Sequence, residues 1–126
     1  MAFIMLLCLL LLTGCAAPEP SYRQISQEEA AALMREEPDC IILDVRTQEE
    51  YRESHIPDAL CVPNETIGTE AVPQLPDKEQ LILVYCRSGR RSKQAADKLA
   101  RLGYTNVAEF GGIIDWTGET VSGGEN

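Results

Sequence analysis

Histidine is nearly absent from this chain. His55 is the single one in 126 residues, and no Cys-x-x-Cys pair accompanies it, so nothing has the spacing of a metal-ligand set. Basic residues are scarce as well. Lys and Arg number 11 against 20 Asp and Glu, a net charge of −9, which argues against nucleic acid or an anionic membrane surface as a partner. The apolar run at residues 3–12 falls short of the ~18 residues that mark a membrane span. No internal repeat or low-complexity block interrupts the chain. Its length allows one domain with a modest core.

What is present begins with a leader. Residues 3–12 have the length of a signal h-region and lead into Leu12-Thr13-Gly14-Cys15. That ending resembles the bacterial lipobox, in which a small residue precedes a cysteine that is lipidated and becomes the new N-terminus. The usual pattern carries Lys or Arg before the apolar run, and Met1-Ala2 has neither; a plain signal peptide or an uncleaved anchor are the alternatives. The expected organisation is a signal peptide over 1–14, a lipidated tether over 15–21, a folded domain over 22–117 and a flexible tail over 118–126. Lipid on Cys15 would hold an exported domain on the cell membrane of a bacterial envelope, its one contact with lipid.

Cys40, Cys61 and Cys86 then remain in the domain, an odd number, so one should stay free in an exported protein. Cys40 and Cys61 each open an apolar run and read as buried thiols at the far end of a sheet; a Cys40–Cys61 disulfide is the alternative.

Along the domain, strand and helix patterns alternate. Residues 22–25 read as a strand. Ser26 with Glu29 forms a capping box for a helix that carries Ala30, Leu33 and Met34 on one face and stops before Pro38. Residues 40–43 are a continuous apolar run, the mark of a strand covered on both faces, and Asp44 interrupts it at the carboxyl end. Thr47 and Glu50 make a second capping box. His55-Ile56-Pro57 breaks that helix, residues 60–62 form a short strand, and 64–76 read as a loop with one helical turn. Residues 81–85 are the central strand, 91–102 the longest helix with Gly103 as its stop, and 106–110 the last strand. Gly111-Gly112 is expected to lead into a final helical turn near Trp116, read as a packing residue. This alternation predicts an α/β fold, a parallel sheet flanked by helices on both faces, with ligands bound outside the carboxyl ends of the strands.

Cys86 occupies that edge. It ends the run Leu81-Ile82-Leu83-Val84-Tyr85 and opens Cys86-Arg87-Ser88-Gly89-Arg90-Arg91-Ser92. A thiol between a strand end and a helix start sits among inward backbone N–H groups at the positive end of a helix dipole, with three arginines close by. Both effects favour thiolate over thiol and mark Cys86 as a nucleophile.

Ile42-Leu43-Asp44-Val45-Arg46, Glu50-Tyr51, His55-Ile56-Pro57-Asp58-Ala59, Val62-Pro63, the Cys86 run, and Gly111-Gly112-Ile113 with Trp116 together resemble a single-domain rhodanese, a thiosulfate sulfurtransferase. The likeness covers residues 22–116. It departs at Ser54 and Asp58, where the family usually has glycine. The resemblance implies a five-stranded parallel sheet and a sulfurtransferase that needs no cofactor and no metal. Cys86 would take the outer sulfur of thiosulfate or a similar small anionic donor as a persulfide and pass it to a thiol or other thiophilic acceptor. Arg87, Ser88, Gly89, Arg90 and Arg91 would bind the donor, through loop amides and through guanidinium groups facing its sulfonate end. Asp44 and Arg46 would brace the edge of the site. His55 is expected to be structural rather than catalytic.

Two rival activities are weaker. A phosphatase on the same fold needs five residues between cysteine and arginine, and that count from Cys86 ends at Ser92; Arg91 closes a loop one residue shorter. A thiol oxidoreductase would need Cys40 or Cys61 near Cys86. A surface-anchored sulfur carrier or binding module without turnover is the alternative from another class.

Overall fold

A computed structural model describes residues 21–124, so the expected signal peptide and Cys15 lie outside the described residues. Strand β1 (Arg23–Gln24) leads to helix α1 (Gln27–Glu36), β2 (Ile41–Asp44), α2 (Gln48–Glu53) and β3 (Leu60–Cys61). A 3-10 turn at Asn64–Thr66 begins the long connection to β4 (Ile82–Cys86), which is followed by α3 (Arg90–Arg101) and β5 (Val107–Gly112). All pairings between these strands are parallel, in the order β1-β5-β4-β2-β3. The fold is the five-stranded α/β sheet that the alternating pattern requires.

The side-chain alternation of the strands builds two cores. Leu43, Ile82, Val84, Cys86 and Val107 point to one face, where Ala95, Ala96 and Leu99 of α3 cover them together with Ile67, Val72 and Leu75 from the long connection. Ile42, Leu83, Tyr85, Ala108 and Phe110 point to the other, under Ala30 of α1 and Tyr51 of α2. Both N-caps read from sequence start their helices: Ser26 Oγ accepts from Glu29 N at 3.0 Å and Thr47 Oγ1 from Glu50 N at 3.2 Å, and of the two only Thr47 with Glu50 closes the reciprocal box.

Three local expectations are corrected. The last strand does not stop at Phe110 but takes in Gly111 and Gly112, and the expected helical turn follows at Ile113–Asp115, closed by Trp116. Val84 pairs with Glu109 but Cys86 with Gly112, so β5 carries one extra residue, a bulge eased by Gly111 at φ 92°. Cys61 is not at the far end of the sheet. It pairs with Asp44, at the carboxyl edge, because the two-residue β3 aligns with the end of β2 rather than its start. Cys40 lies before the start of β2, about 13 Å away along the strand direction, too far for the Cys40–Cys61 disulfide. The segment expected to be a flexible tail is held as far as Gly123: His55 and Val121 exchange backbone bonds of 2.8 Å each, and Gly123 N donates to Arg52 O at 2.7 Å.

Asp44 and Arg46 form a buried pair at the end of β2. Arg46 Nη2 lies 2.7 Å from Asp44 Oδ2 and 2.6 Å from the carbonyl of Ser54, while Tyr85 Oη donates to the same carboxylate at 2.8 Å. Burial pushes the Arg46 guanidinium down, yet its bond to Asp44 leaves it above its ordinary value. The pair faces Tyr85 and the 54–56 turn, so it holds the β2–α2–β3 corner rather than the Cys86 loop. Removing one member strands the other charge in the core. Arg46→Ala should therefore cost about 3–5 kcal/mol in urea unfolding.

The two positions that depart from the family's glycines behave differently. Ser54 is extended (φ −169°), a conformation any residue adopts, whereas Asp58 holds φ 67° in the left-handed region. Asp58→Gly should relieve that strain and raise the stability read from urea unfolding by about 0.5 kcal/mol; Ser54→Gly should bring no such gain.

Candidate active site

Cys86 is the last residue of β4, and its side chain lies on the α3 face. The chain turns at once through Arg87, Ser88 and Gly89 into α3. Gly89 is the residue before the first helical turn, at φ 105°, where a Cβ would be strained. That conformation aims the Gly89 N–H back at Cys86 Sγ, 3.0 Å away. The Cys86 thiol also reaches Ser92 Oγ at 3.4 Å. Burial pushes the Cys86 thiol up, but the Ser92 hydroxyl and the amides of Ser92, Gly89 and Ser88 more than offset it, and the thiol sits below its ordinary value of 9.0. Cys61 shows the contrast: burial and the Asp44 charge outweigh Arg46 and Arg52, and its thiol is pushed up to about 12.

Gly112 closes the floor of the loop. A Cβ built there would collide with the carbonyl of Arg87. The β5 bulge brings this glycine opposite Cys86, Ile114 N donates to Arg87 O at 3.3 Å, and Gln27 of α1 donates its side-chain amide to Gly112 O at 2.8 Å.

The arginines separate by role. Arg87 and Arg90 are exposed on the loop and first helical turn, as is Ser88. Arg91 turns across to α2 and forms a bidentate pair with Glu50, with bonds of 2.6 and 3.0 Å. The hydrogen bond from Arg91 holds the Glu50 carboxyl down at about 2. Glu50 therefore caps α2 and fixes the first turn of α3. Sequence reasoning identified it only as a capping residue, since its partner lies 41 positions away.

Sequence reasoning also missed Glu109. It alternates with Ala108 and Phe110 and so faces α3, where it is 3% exposed. Ser92 Oγ lies 3.0 Å from its Oε2, and the Gly111 amide donates to the same oxygen at 2.7 Å. A carboxylate in an otherwise apolar strand run was the available signal, the same one that marked Asp44.

The remaining candidates lie apart. His55 stacks on Tyr51 with ring centroids 3.7 Å apart, and its Nδ1 is 2.7 Å from the Tyr51 carbonyl. Cys61 faces the opposite core from Cys86, two strands away. Two surface concavities, of about 460 and 530 Å³, run beside Glu70 and between Ile67 and Leu102; no residue of the Cys86 loop lines either. What the loop itself offers is a buried sulfur with inward donors and a cationic rim, an arrangement suited to nucleophilic attack on a small anion.

The Rhodanese-like domain family matches residues 26–119. The thiosulfate sulfurtransferase PspE of Escherichia coli (strain K12) is 36% identical over 81 residues, covering 64% of this chain and 78% of that protein. The thiosulfate sulfurtransferase GlpE of Coxiella burnetii is 36% identical over 96 residues, 75% of this chain and 87% of its own length. A solved structure described as a rhodanese with anions from E. coli superposes with a TM-score of 0.60 at 35% identity, covering 66% of this chain and 98% of the other. The matched span takes in every element from α1 to the turn after β5, the Cys86 loop included, and the chain belongs to the rhodanese-like domain family.

Proposed function

We propose that the protein is a sulfurtransferase that moves a sulfane sulfur from thiosulfate, or a similar small anion, to a thiol or other thiophilic acceptor through a persulfide on Cys86. The observation that carries this reading is the Gly89 amide 3.0 Å from Cys86 Sγ, with the Ser92 hydroxyl beside it. In the first half-reaction the Cys86 thiolate attacks the outer sulfur of thiosulfate. A new S–S bond forms, the donor's own S–S bond breaks, and sulfite leaves with the electron pair. In the second, the acceptor attacks the outer sulfur of the persulfide and Cys86 leaves as thiolate. The loop donors serve both steps because the negative charge stays on sulfur throughout. Arg87 and Arg90 supply the positive potential for the sulfonate end, while Arg91, already paired with Glu50, acts through the position of the loop. Cys86 is only 1% exposed, which favours a donor as small as thiosulfate.

The same reading places the domain at the surface of a bacterial membrane, exported and held by lipid on Cys15. The support is the run at residues 3–12 and the Leu12-Thr13-Gly14-Cys15 ending. It makes the acceptor a thiol met outside the cytoplasm.

Mass spectrometry after incubation with thiosulfate should find one added sulfur atom on Cys86, released by cyanide with turnover. Cys86→Ser should lose both the added sulfur and the activity while keeping its far-UV spectrum. Full transfer by that variant defeats the assignment, and an added sulfur that cyanide does not turn over supports the carrier alternative instead. For the anchor, expression in a bacterial host with labelled palmitate should label the wild-type chain and leave Cys15→Ala unlabelled; an unlabelled wild type overturns the lipid reading.

A further inference from the structure

The Ser92 hydroxyl has more acceptors than it can serve. Its Oγ lies 3.0 Å from Gly89 O, 3.0 Å from Glu109 Oε2, 3.4 Å from Gly111 O and 3.4 Å from Cys86 Sγ. A hydroxyl carries one proton. With Cys86 as a thiol, the S–H donates to Ser92 Oγ and Ser92 is free to donate to Glu109. With Cys86 as a thiolate, Sγ has no proton to give, and Ser92 stabilises it only by turning its own proton away from Glu109. Ser92 is fully buried, so bulk solvent does not soften this competition.

We propose that Glu109 is a positioning residue: by holding the proton of Ser92, it limits how much negative charge the Cys86 sulfur carries. Among the acceptors around Ser92 Oγ, Gly89 O and Gly111 O are backbone carbonyls, and Glu109 is the one carboxylate. Glu109 shares the face of β5 that meets α3, and the bulge at Gly111 turns that amide onto Oε2, so the carboxylate keeps one bond when Ser92 turns away. Lys93 Nζ, 3.6 Å from Oε1, provides its counter-charge. The other charges near Cys86 are Arg87, Arg90 and Arg91 from its own loop and α3, Glu50 from α2 behind Arg91, and the closed Asp44–Arg46 pair at the end of β2. None of them is hydrogen-bonded to Ser92 or Sγ. Glu109 thus acts against the loop amides, and the resting sulfur is less ionised than the loop alone would make it.

This inference rests on Cys86 being the nucleophile, and its test reads the thiolate without requiring sulfur transfer. The rate of Cys86 alkylation by iodoacetamide is followed against pH in the wild type, Glu109→Gln, Ser92→Ala and the double variant, with circular dichroism as the check on folding. A neutral amide is a weaker acceptor for Ser92 whichever way it turns. Glu109→Gln should therefore move the midpoint down by roughly 0.5 in pH, about threefold faster alkylation at pH values well below it. Ser92→Ala should move the midpoint up, and in that background Glu109→Gln should have no effect. If Glu109→Gln fails to fold, Glu109→Asp keeps the charge but withdraws the oxygen from Ser92, and should move the midpoint in the same direction. An unchanged or raised midpoint in the folded variant overturns the proposal. So does a downward shift that persists without Ser92, because that is the field of the charge and not the turning of a hydroxyl. A normal alkylation profile in a protein that never gains sulfur from thiosulfate would instead defeat the proposed transfer and leave the role of Glu109 standing.

Discussion

A residue that is 1% exposed has lost nearly all of its water, and its sulfur can hold a charge only where other donors replace what water supplied. At Cys86 those donors are the loop amides and the Ser92 hydroxyl. The Gly89 amide reaches the sulfur because the chain takes a positive φ just before α3, a conformation that glycine adopts without penalty. The surrounding contacts preserve that one turn: α3 is seated on the sheet through Ala95, Ala96 and Leu99, the loop carbonyl of Arg87 rests against a residue without a side chain, and Arg91 is pinned to α2. Packing fixes a few polar atoms here, and those atoms do the chemistry.

Charge is divided on the same principle. The body of the protein is acidic, so an anionic donor approaching at random is repelled on average. The cationic groups are gathered within a few residues of the nucleophile, and one of them is neutralised by Glu50. What an incoming anion meets is a local positive rim rather than a basic surface, which selects for compact ligands. Glu50 shows how economical the arrangement is, since one carboxylate caps α2, receives Arg91 and ties two helices together across the sheet edge.

The parts of this fold that were legible in the sequence are contiguous ones. The apolar runs before Asp44 and Cys86, the two helix N-caps and the Cys86 loop each declare themselves within a few residues, because a strand end or a helix start is a local event. Partners were not legible. Arg91 and Glu50 meet only because α2 and α3 converge at the carboxyl edge of the sheet, and Ser92 finds Glu109 only because strand alternation and helix packing agree on a face. Cys61 was misplaced for a related reason: a two-residue strand has no register of its own, and the 54–59 turn decides how far along β2 it lies. The two glycines after Phe110 read as punctuation in sequence, yet the neighbouring strand recruits them.

The extra residue in β5 has an implication for how the chain tolerates insertions and deletions. Excising Gly111 would restore ordinary pairing between β4 and β5 and leave both hydrophobic cores untouched. It would also remove the amide that anchors Glu109 and draw the floor of the loop out of line with Cys86. Length changes in the exposed stretch at residues 68–71 of the connection between β3 and β4 leave the groups bonded to the sulfur in place. Among related chains, gaps should gather in that connection, and the three steps from Glu109 to Gly112 should remain fixed even where the residues themselves are exchanged.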